Sequence, residues 1–387
     1  MSAKPSSTAA ATSPVAGRRV VLVGLALPTQ RLGVVEEHLD ELTDLAVSAG
    51  AEVVARCVQS RRAPHPATFI GAGKARSIGA VAAEKGAELI LFDDDLSPSQ
   101  VGQLEDLMDR PVLDRSGLIL EIFRTRARSR EARTQVELAR LEYELPRLTR
   151  RWSHLSRQAG GIGVRGGEGE TQLEADRRML RQRIRKLKKD LAKIERTRRV
   201  QRSGRRGVAS VALAGYTNAG KSSLFNRLTR ADARVEDRVF ATLDSKLRRG
   251  ALRHGETVVF ADTVGFIRKL PHHLVASFRG TLEEVAGADL VLHVIDRSHA
   301  AWREQRRVGA EVLDDLGVDR DRVLEVHNKI DRLSDGGAGA AGGGAVRISA
   351  ETGAGLDELK KRIRNCLADP GDRAGEARSL DSVGQST

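Results

Sequence analysis

The chain has 387 residues, which at about 150 residues per domain is enough for two or three separately cored domains and excludes a short peptide or lone module. It carries 65 Lys or Arg against 52 Asp or Glu, a formal charge of +13, with 40% apolar and 30% charged residues as in ordinary folded, soluble chains. Two cysteines, Cys57 and Cys366, supply no disulfide framework, and the nine histidines stand beside no CxxC pair, so a reducing, cytoplasmic setting is expected.

In chain order, residues 1–17 are rich in Ser, Ala, Thr and Pro and read as a disordered tail, with a cleaved targeting peptide as the alternative. The apolar run from Val20 to Leu27 falls far short of the roughly 18 residues of a membrane span, so no stable membrane insertion is expected. Over 18–123, apolar runs at 20, 88 and 111 alternate with helical stretches at Val34–Ala49, Lys74–Lys85 and Ser99–Met108. This predicts a small N-terminal α/β domain. Its FIGAGKARS stretch has Thr68 where a phosphate loop needs Gly, and Ala75 after Lys74, and reads as a turn into a helix.

Residues 124–204 predict a basic, antiparallel α-helical hairpin. Leu138, Leu141, Leu145, Leu148, Trp152 and Leu155 step by three and four, as do Leu180, Ile184, Leu187, Leu191 and Ile194. Two amphipathic helices of about 25 to 30 residues follow, about 40 Å long, with a kink at Pro146. Between Arg177 and Arg206, fifteen basic residues face two acids, a surplus equal to the charge of the whole chain. A solvated face is the alternative, but so dense a cluster repels itself without a counter-charge. The connecting segment Gly160–Glu170 has six glycines in eleven residues; it is either a recognition tip or a flexible connection. Only 3% of residues are aromatic, so nucleic-acid contact would run through phosphates and shape rather than base stacking.

Residues 205–369 predict a P-loop domain with a mixed, mostly parallel sheet, followed by a second disordered tail at 370–387. Gly215-Tyr216-Thr217-Asn218-Ala219-Gly220-Lys221-Ser222-Ser223 follows an apolar strand and opens a helix, the context a phosphate loop requires. Backbone N–H groups would surround the phosphates, Lys221 would neutralise the β and γ groups, and Ser222 would hold Mg²⁺. In Phe240-Ala241-Thr242-Leu243-Asp244, Thr242 can close over the metal and the γ-phosphate. Asp262-Thr263-Val264-Gly265 then places a metal-holding carboxylate at a strand end and a backbone N–H near the γ-phosphate. Lys221, Thr242 and Gly265 are the candidate catalytic groups, and Ser222, Thr242 and Asp262 the candidate Mg²⁺ ligands. Asn328-Lys329-Ile330-Asp331 supplies a carboxylate for N1–H and the 2-amino group of guanine, and Ser349-Ala350 a backbone N–H for O6. The nucleotide read from these residues is GTP.

In this order GYTNAGKSS, ATLD, DTVGF, NKID and SA resemble the translation-factor class of GTPases. LSPSQ (97–101), LDRSGLILEIF (113–123), LPRL (145–148), LSRQAGGIG (155–163) and GETQLE (169–174) are similar to the HflX family. The resemblance runs from about Val20 to about Leu367 and implies a bacterial cytoplasmic GTPase that binds the large (50S) ribosomal subunit and its rRNA. In some members it implies splitting of stalled ribosomes under stress. The hairpin, here Arg126 to Arg199, would be the ribosome-reaching element. The chain departs from the family pattern at VRGGEGETQLE, where GxRGPGETQLE is usual, and at Ser245 and Lys246, where ATLDPT is usual. The glycine-rich stretch between Asp335 and Ala345 reads as a surface insertion.

Where many GTPases carry Gln after DxxG, this chain has Phe266, either a core anchor or a gate. Phe266 cannot orient water, so hydrolysis without an activator should be slow, on the order of 10⁻⁴ s⁻¹ or below. Asn218 is a candidate ligand for K⁺. A monomer is expected, cytoplasmic and ribosome- or membrane-associated; the alternative is an RNA-modification or RNA-folding GTPase acting on free RNA.

Overall fold

A computed structural model describes residues 13–30, 32–148, 168–203, 208–230, 239–240, 242–252, 256–269, 279–333 and 344–368. Ala241, most of the glycine-rich hairpin tip, Trp152 and Leu155, most of the 335–345 stretch and the tail after 369 lie outside the described residues. The chain divides into two compact units, Met1–Thr125 with Tyr143–Met179, and Arg126–Glu142 with Leu180–Thr387. The basic helical segment, read as one piece from the sequence, is thus divided between them.

The first unit is built on four parallel strands in the order β2-β1-β3-β4: β1 (Arg19–Ala26), β2 (Glu52–Ser60), β3 (Leu89–Phe92) and β4 (Val112–Asp114). Helices α1 (Leu32–Ser48), α2 (Ala72–Glu84) and α3 (Pro98–Met108) connect them, followed by α4 (Arg115–Arg126). FIGAGKARS is indeed a turn into a helix: Gly71 caps α2, and its N–H donates to Gln59 Oε1 at 2.9 Å. α3 starts on a capping box, Ser97 reciprocated by Gln100, with Pro98 in the first turn. Val21, Val23, Ile78, Ile90, Phe92 and Leu104 fill the core. The tail expected over 1–17 is tied down at its end: Val15 is buried, and Gly17 N–H donates to Gly50 O at 2.8 Å.

α5 (Arg130–Glu144) is followed by a 3₁₀ turn, Leu145–Arg147, that contains Pro146. Proline has no N–H to continue the α-helical pattern, and the chain passes through a 3₁₀ turn there with Glu144 and Leu148 on either side still in right-handed helical backbone, a local break of the kind a kink requires. The second basic helix, α6 (Glu168–Ser203), has 36 residues, more than expected. It begins inside the glycine-rich segment, where Glu168 and Glu170 are the acidic residue types that a helix N-terminus favours. Along α6, Ile184 and Leu187 are buried while Arg181, Arg185, Lys186, Lys189 and Lys193 are exposed. Within the second unit, Arg183 pairs with Glu137 at 2.6 Å and Lys188 with Glu142 at 2.8 Å.

The rest of the second unit is a six-stranded sheet in the order β10-β9-β8-β5-β7-β6, parallel except at β6–β7. Its strands are β5 (Ser210–Gly215), β6 (Lys246–Ala251), β7 (Thr257–Asp262), β8 (Leu290–Asp296), β9 (Val323–Asn328) and β10 (Val346–Arg347). The helices are α7 (Lys221–Thr229), α8 (Arg279–Ala286), α9 (Trp302–Asp315) and α10 (Leu356–Ala368). β7 and β8 flank β5 on opposite sides, so the chain switches direction across the sheet at β5. Ligands of open α/β sheets bind outside the carboxyl ends of strands at such a point.

β8 is buried throughout, and it carries His293. A Cβ on Gly309 of α9 would run into this imidazole. Burial lowers the pKa of His293 from 6.5 to about 4, so the folded protein holds it neutral. Its contribution is present above pH 6.5 and lost as pH falls towards 4, because the unfolded chain takes up the proton first. Between pH 7 and pH 5 the loss is about 2 kcal/mol. Urea unfolding of the protein and of His293→Gln should show the fall in the former and a smaller one in the latter; equal falls would contradict this assignment.

Candidate functional site

β5 ends at Gly215, and the loop passes through Asn218 at φ 60° and Gly220 at φ 88° before α7 begins at Lys221. Gly220 takes a left-handed conformation, and a Cβ there would meet Asn328 Nδ2. The loop therefore turns tightly and presents the N-terminus of a nine-residue helix to a pocket of about 330 Å³. Lys221 lies buried behind this turn, and its ammonium donates to Gly215 O at 3.0 Å and Tyr216 O at 2.8 Å. Burial, opposed by the Asp262 carboxylate, lowers its pKa to about 8.

Three hard oxygen donors converge beside it. Ser222 Oγ donates to Asp262 Oδ2 at 2.8 Å, Thr242 Oγ1 donates to the same oxygen at 3.1 Å, and the two hydroxyls are 2.9 Å apart. Asp262 is fully buried at the end of β7, and its Oδ1 has no hydrogen-bond partner among the described residues. Burial raises its pKa, offset by Ser222, Lys221 and Thr242. A buried carboxylate with one oxygen unspent, next to two hydroxyls, fits Mg²⁺, which takes hard oxygen ligands.

Gly265 lines the pocket, where a Cβ would stand 2.7 Å from Thr217 Cα. Phe266 is a core anchor: its side chain is 2% exposed, its N–H donates to Gly215 O at 2.9 Å, and its carbonyl accepts Thr217 N–H at 2.7 Å. Thr263 Oγ1 donates to Leu213 O at 2.6 Å. These bonds lock the DTVGF segment to the phosphate loop.

On the far side of the pocket, Asn328 braces two loops: Nδ2 donates to Ala219 O and Oδ1 accepts Ala350 N–H, both at 2.9 Å. Lys329, at φ 60°, pairs with Asp296 at 2.7 Å, and Asp331 lines the pocket. Ala350 N–H is taken by Asn328 and Ser349 N–H by Ala354 O, because these amides hold the loop itself together.

Of the sequence-derived residues, Thr217, Asn218, Gly220, Lys221, Ser222, Ser223, Phe240, Thr242, Thr263, Gly265, Asn328, Lys329, Asp331 and Ala350 line one pocket. Gly215, Tyr216, Ala219, Leu243, Asp262, Val264, Ile330 and Ser349 stand behind it, and most of them are buried. Asp244 is turned elsewhere: its carboxylate accepts the N–H groups of Arg128 and Ser129. Arg332 and Glu351 also line the pocket, although they belong to none of the sequence motifs. Arg227 braces the Ala350–Glu351 segment: its guanidinium donates to the carbonyls of Ala350 and Glu351.

Three family models match in succession: "GTP-binding GTPase N-terminal" at 36–124, "GTP-binding GTPase Middle Region" at 126–205, and "50S ribosome-binding GTPase" at 210–329. GTPase HflX of Magnetococcus marinus is 46% identical over 354 residues, covering 90% of this chain and 82% of its own length. The chain belongs to the HflX family of GTPases. GTPase HflX of Escherichia coli K12 is likewise 46% identical, over 86% of this chain and 79% of its own. Among solved structures, a GTP-binding protein from Sulfolobus solfataricus in complex with GDP aligns over 90% of this chain and 99% of that one, at TM-score 0.47 and 24% identity.

Two of the HflX-like motifs outside the nucleotide site, LDRSG and LPRL, are bonded to one another in the first unit. Asp114 of LDRSG is buried and accepts from Tyr143 Oη at 2.7 Å, Arg147 Nη2 at 2.7 Å, Gly117 N at 2.9 Å and Leu96 N at 3.2 Å. Arg147 of LPRL also lies 3.6 Å over the Tyr143 ring. Burial first, and then the Asp114 carboxylate, hold the Tyr143 phenol well above its usual pKa, so it remains a donor.

Proposed function

We propose that this GTPase docks on the large (50S) ribosomal subunit when loaded with GTP, splits or rescues stalled ribosomes under stress, and leaves after hydrolysis. The observation that carries the reading is the exposed cationic face of α6, where Arg181, Arg185, Lys186, Lys189 and Lys193 stand free of the apolar seam. Such a face suits rRNA phosphates. The segment from Arg126 to Arg199 would be the element that reaches the subunit, in a cytoplasmic protein. No helix among the described residues is long and apolar enough to cross a membrane.

In this reading Lys221 and the start of α7 hold the phosphates, Asp331 selects guanine, and Ser222, Thr242 and Asp262 hold Mg²⁺. The ion, when bound, neutralises charge on the β- and γ-phosphates. The buried side chain of Phe266 offers nothing to orient water, so docking completes the site by fixing the segment around Thr242. Asn218, at the pocket rim, supplies an oxygen for K⁺; faster ribosome-stimulated turnover in K⁺ than in Na⁺ is expected, and equal turnover rejects this role.

Pelleting through sucrose with 50S particles, free RNA or liposomes tests the whole reading. Co-sedimentation with 50S particles in the presence of a non-hydrolysable GTP analogue but not GDP is expected. Preference for free RNA would favour an RNA-folding or RNA-modification role. Neutralising Arg181, Arg185, Lys186 and Lys189 together should leave nucleotide binding intact and flatten the salt dependence of 50S binding by about 0.7–0.9 in log–log slope per lost phosphate contact. An unchanged slope would remove α6 from the interface.

A further inference from the structure

Ser129 stands directly before α5 and caps it: its Oγ accepts Ala132 N–H at 3.0 Å, and its carbonyl accepts Arg133 N–H at 3.1 Å. The cap is itself held by Asp244. One carboxylate oxygen accepts Arg128 N–H at 3.0 Å and Ser129 N–H at 3.1 Å, while the Ser129 hydroxyl donates to the other. A carboxylate is thereby seated at the positive end of a fifteen-residue helix, where charge and hydrogen bonding act together.

Asp244 also belongs to the nucleotide site by connectivity. Two residues before it, Thr242 is bonded to Ser222 and Asp262. Two residues after it, Lys246 begins β6 in register with Asp262. The stretch from Thr242 to Asp244 spans at most about 7 Å when fully extended. A shift of Thr242 away from the Mg²⁺ oxygens must therefore move Asp244 or bend a very short link, while Lys246 stays fixed in the sheet.

We propose that Asp244 is a positioning residue that latches the start of α5 to the segment closing over the nucleotide. When Thr242 is drawn towards Ser222 and Asp262, the Asp244 carboxylate lies against Arg128 and Ser129 and fixes the helix. When Thr242 withdraws, the latch loosens. By linkage the effect is reciprocal: a helix held in place by a partner favours the closed Thr242. That the partner is the ribosome rests on the function proposed above; the latch itself does not.

The test is hydrogen exchange at the Arg128 and Ser129 amides of the full chain with Mg²⁺ and saturating GDP or non-hydrolysable GTP analogue, without ribosomes. In the unaltered protein these amides should exchange about tenfold more slowly with the triphosphate, the factor expected for one hydrogen bond to a charged group. Asp244→Ala should erase the difference between nucleotides, and Ser129→Ala, which keeps the backbone donors, should reduce it. A purely structural contact would protect these amides equally in both nucleotide states, and that result overturns the proposal, as does a difference that survives Asp244→Ala. If the difference is present but 50S particles pellet the protein equally with either nucleotide, the ribosome reading fails and the latch stands.

Discussion

Lys221→Ala is expected to weaken binding of GTP and GDP by about 100-fold, since on the proposed reading it removes the charged donor that meets the phosphate oxygens and leaves no substitute. The geometry makes the loss specific. Lys221 is buried and already bonded to the carbonyls of Gly215 and Tyr216, so its amine is positioned before nucleotide arrives. Its pKa of about 8 adds a pH dependence. A bound polyphosphate favours the charged form and raises that pKa. Binding is therefore full-strength below pH 8 and weakens above it, as the free protein loses a proton that the complex must regain. Titration calorimetry at pH 7 and pH 9 should show proton uptake only at the higher pH, and Lys221→Ala should abolish both the affinity and the uptake. The variant should remain folded, because deleting a buried cation removes a desolvation cost along with its two bonds. An affinity unchanged by the substitution would overturn the assignment of the phosphate loop.

The strongly patterned parts of the chain are legible in its sequence. An apolar strand ending in Gly215 and a helix opening at Lys221 follow from residue types alone, since a glycine-containing turn between two apolar elements admits few conformations. The seam of α6 follows in the same way from leucine spacing. What escaped was set by tertiary contact. α4 is buried from Arg115 to Phe123 on nearly every side, so it carries no amphipathic stripe to announce a helix. β2 is half-exposed along its length and interrupted by Arg56 and Gln59, which blurs its alternation. The bonds of Asp244 are not legible from its closeness in sequence to Thr242, because its partners lie 115 and 116 positions away. The bonds that the amides of Ser349 and Ala350 make within the loop are likewise set by tertiary contact and carry no sequence signal.

The second large effect concerns the base. Asp331 lines the pocket from a short 3₁₀ turn, Ile330–Arg332, just after Asn328 has braced the loops of Ala219 and Ala350. Guanine presents two donors on one edge, N1–H and the 2-amino group, and a carboxylate accepts both. Asp331→Asn keeps the shape and replaces one acceptor with an N–H group, which then faces a guanine donor. One hydrogen bond is lost, and two donors are opposed out of water. GTP affinity should fall by about 10²–10⁴-fold. Xanthine carries a carbonyl where guanine has the amino group, so the same amide accepts from N1–H and donates to that oxygen. Xanthosine triphosphate should therefore bind Asp331→Asn more tightly than it binds the unaltered protein, where two acceptors would be opposed. Competition against a fluorescent guanine nucleotide reads both affinities in one assay. A fall for both bases alike would mean that the substitution had damaged the loop, and no change for either would place the base-reading carboxylate elsewhere.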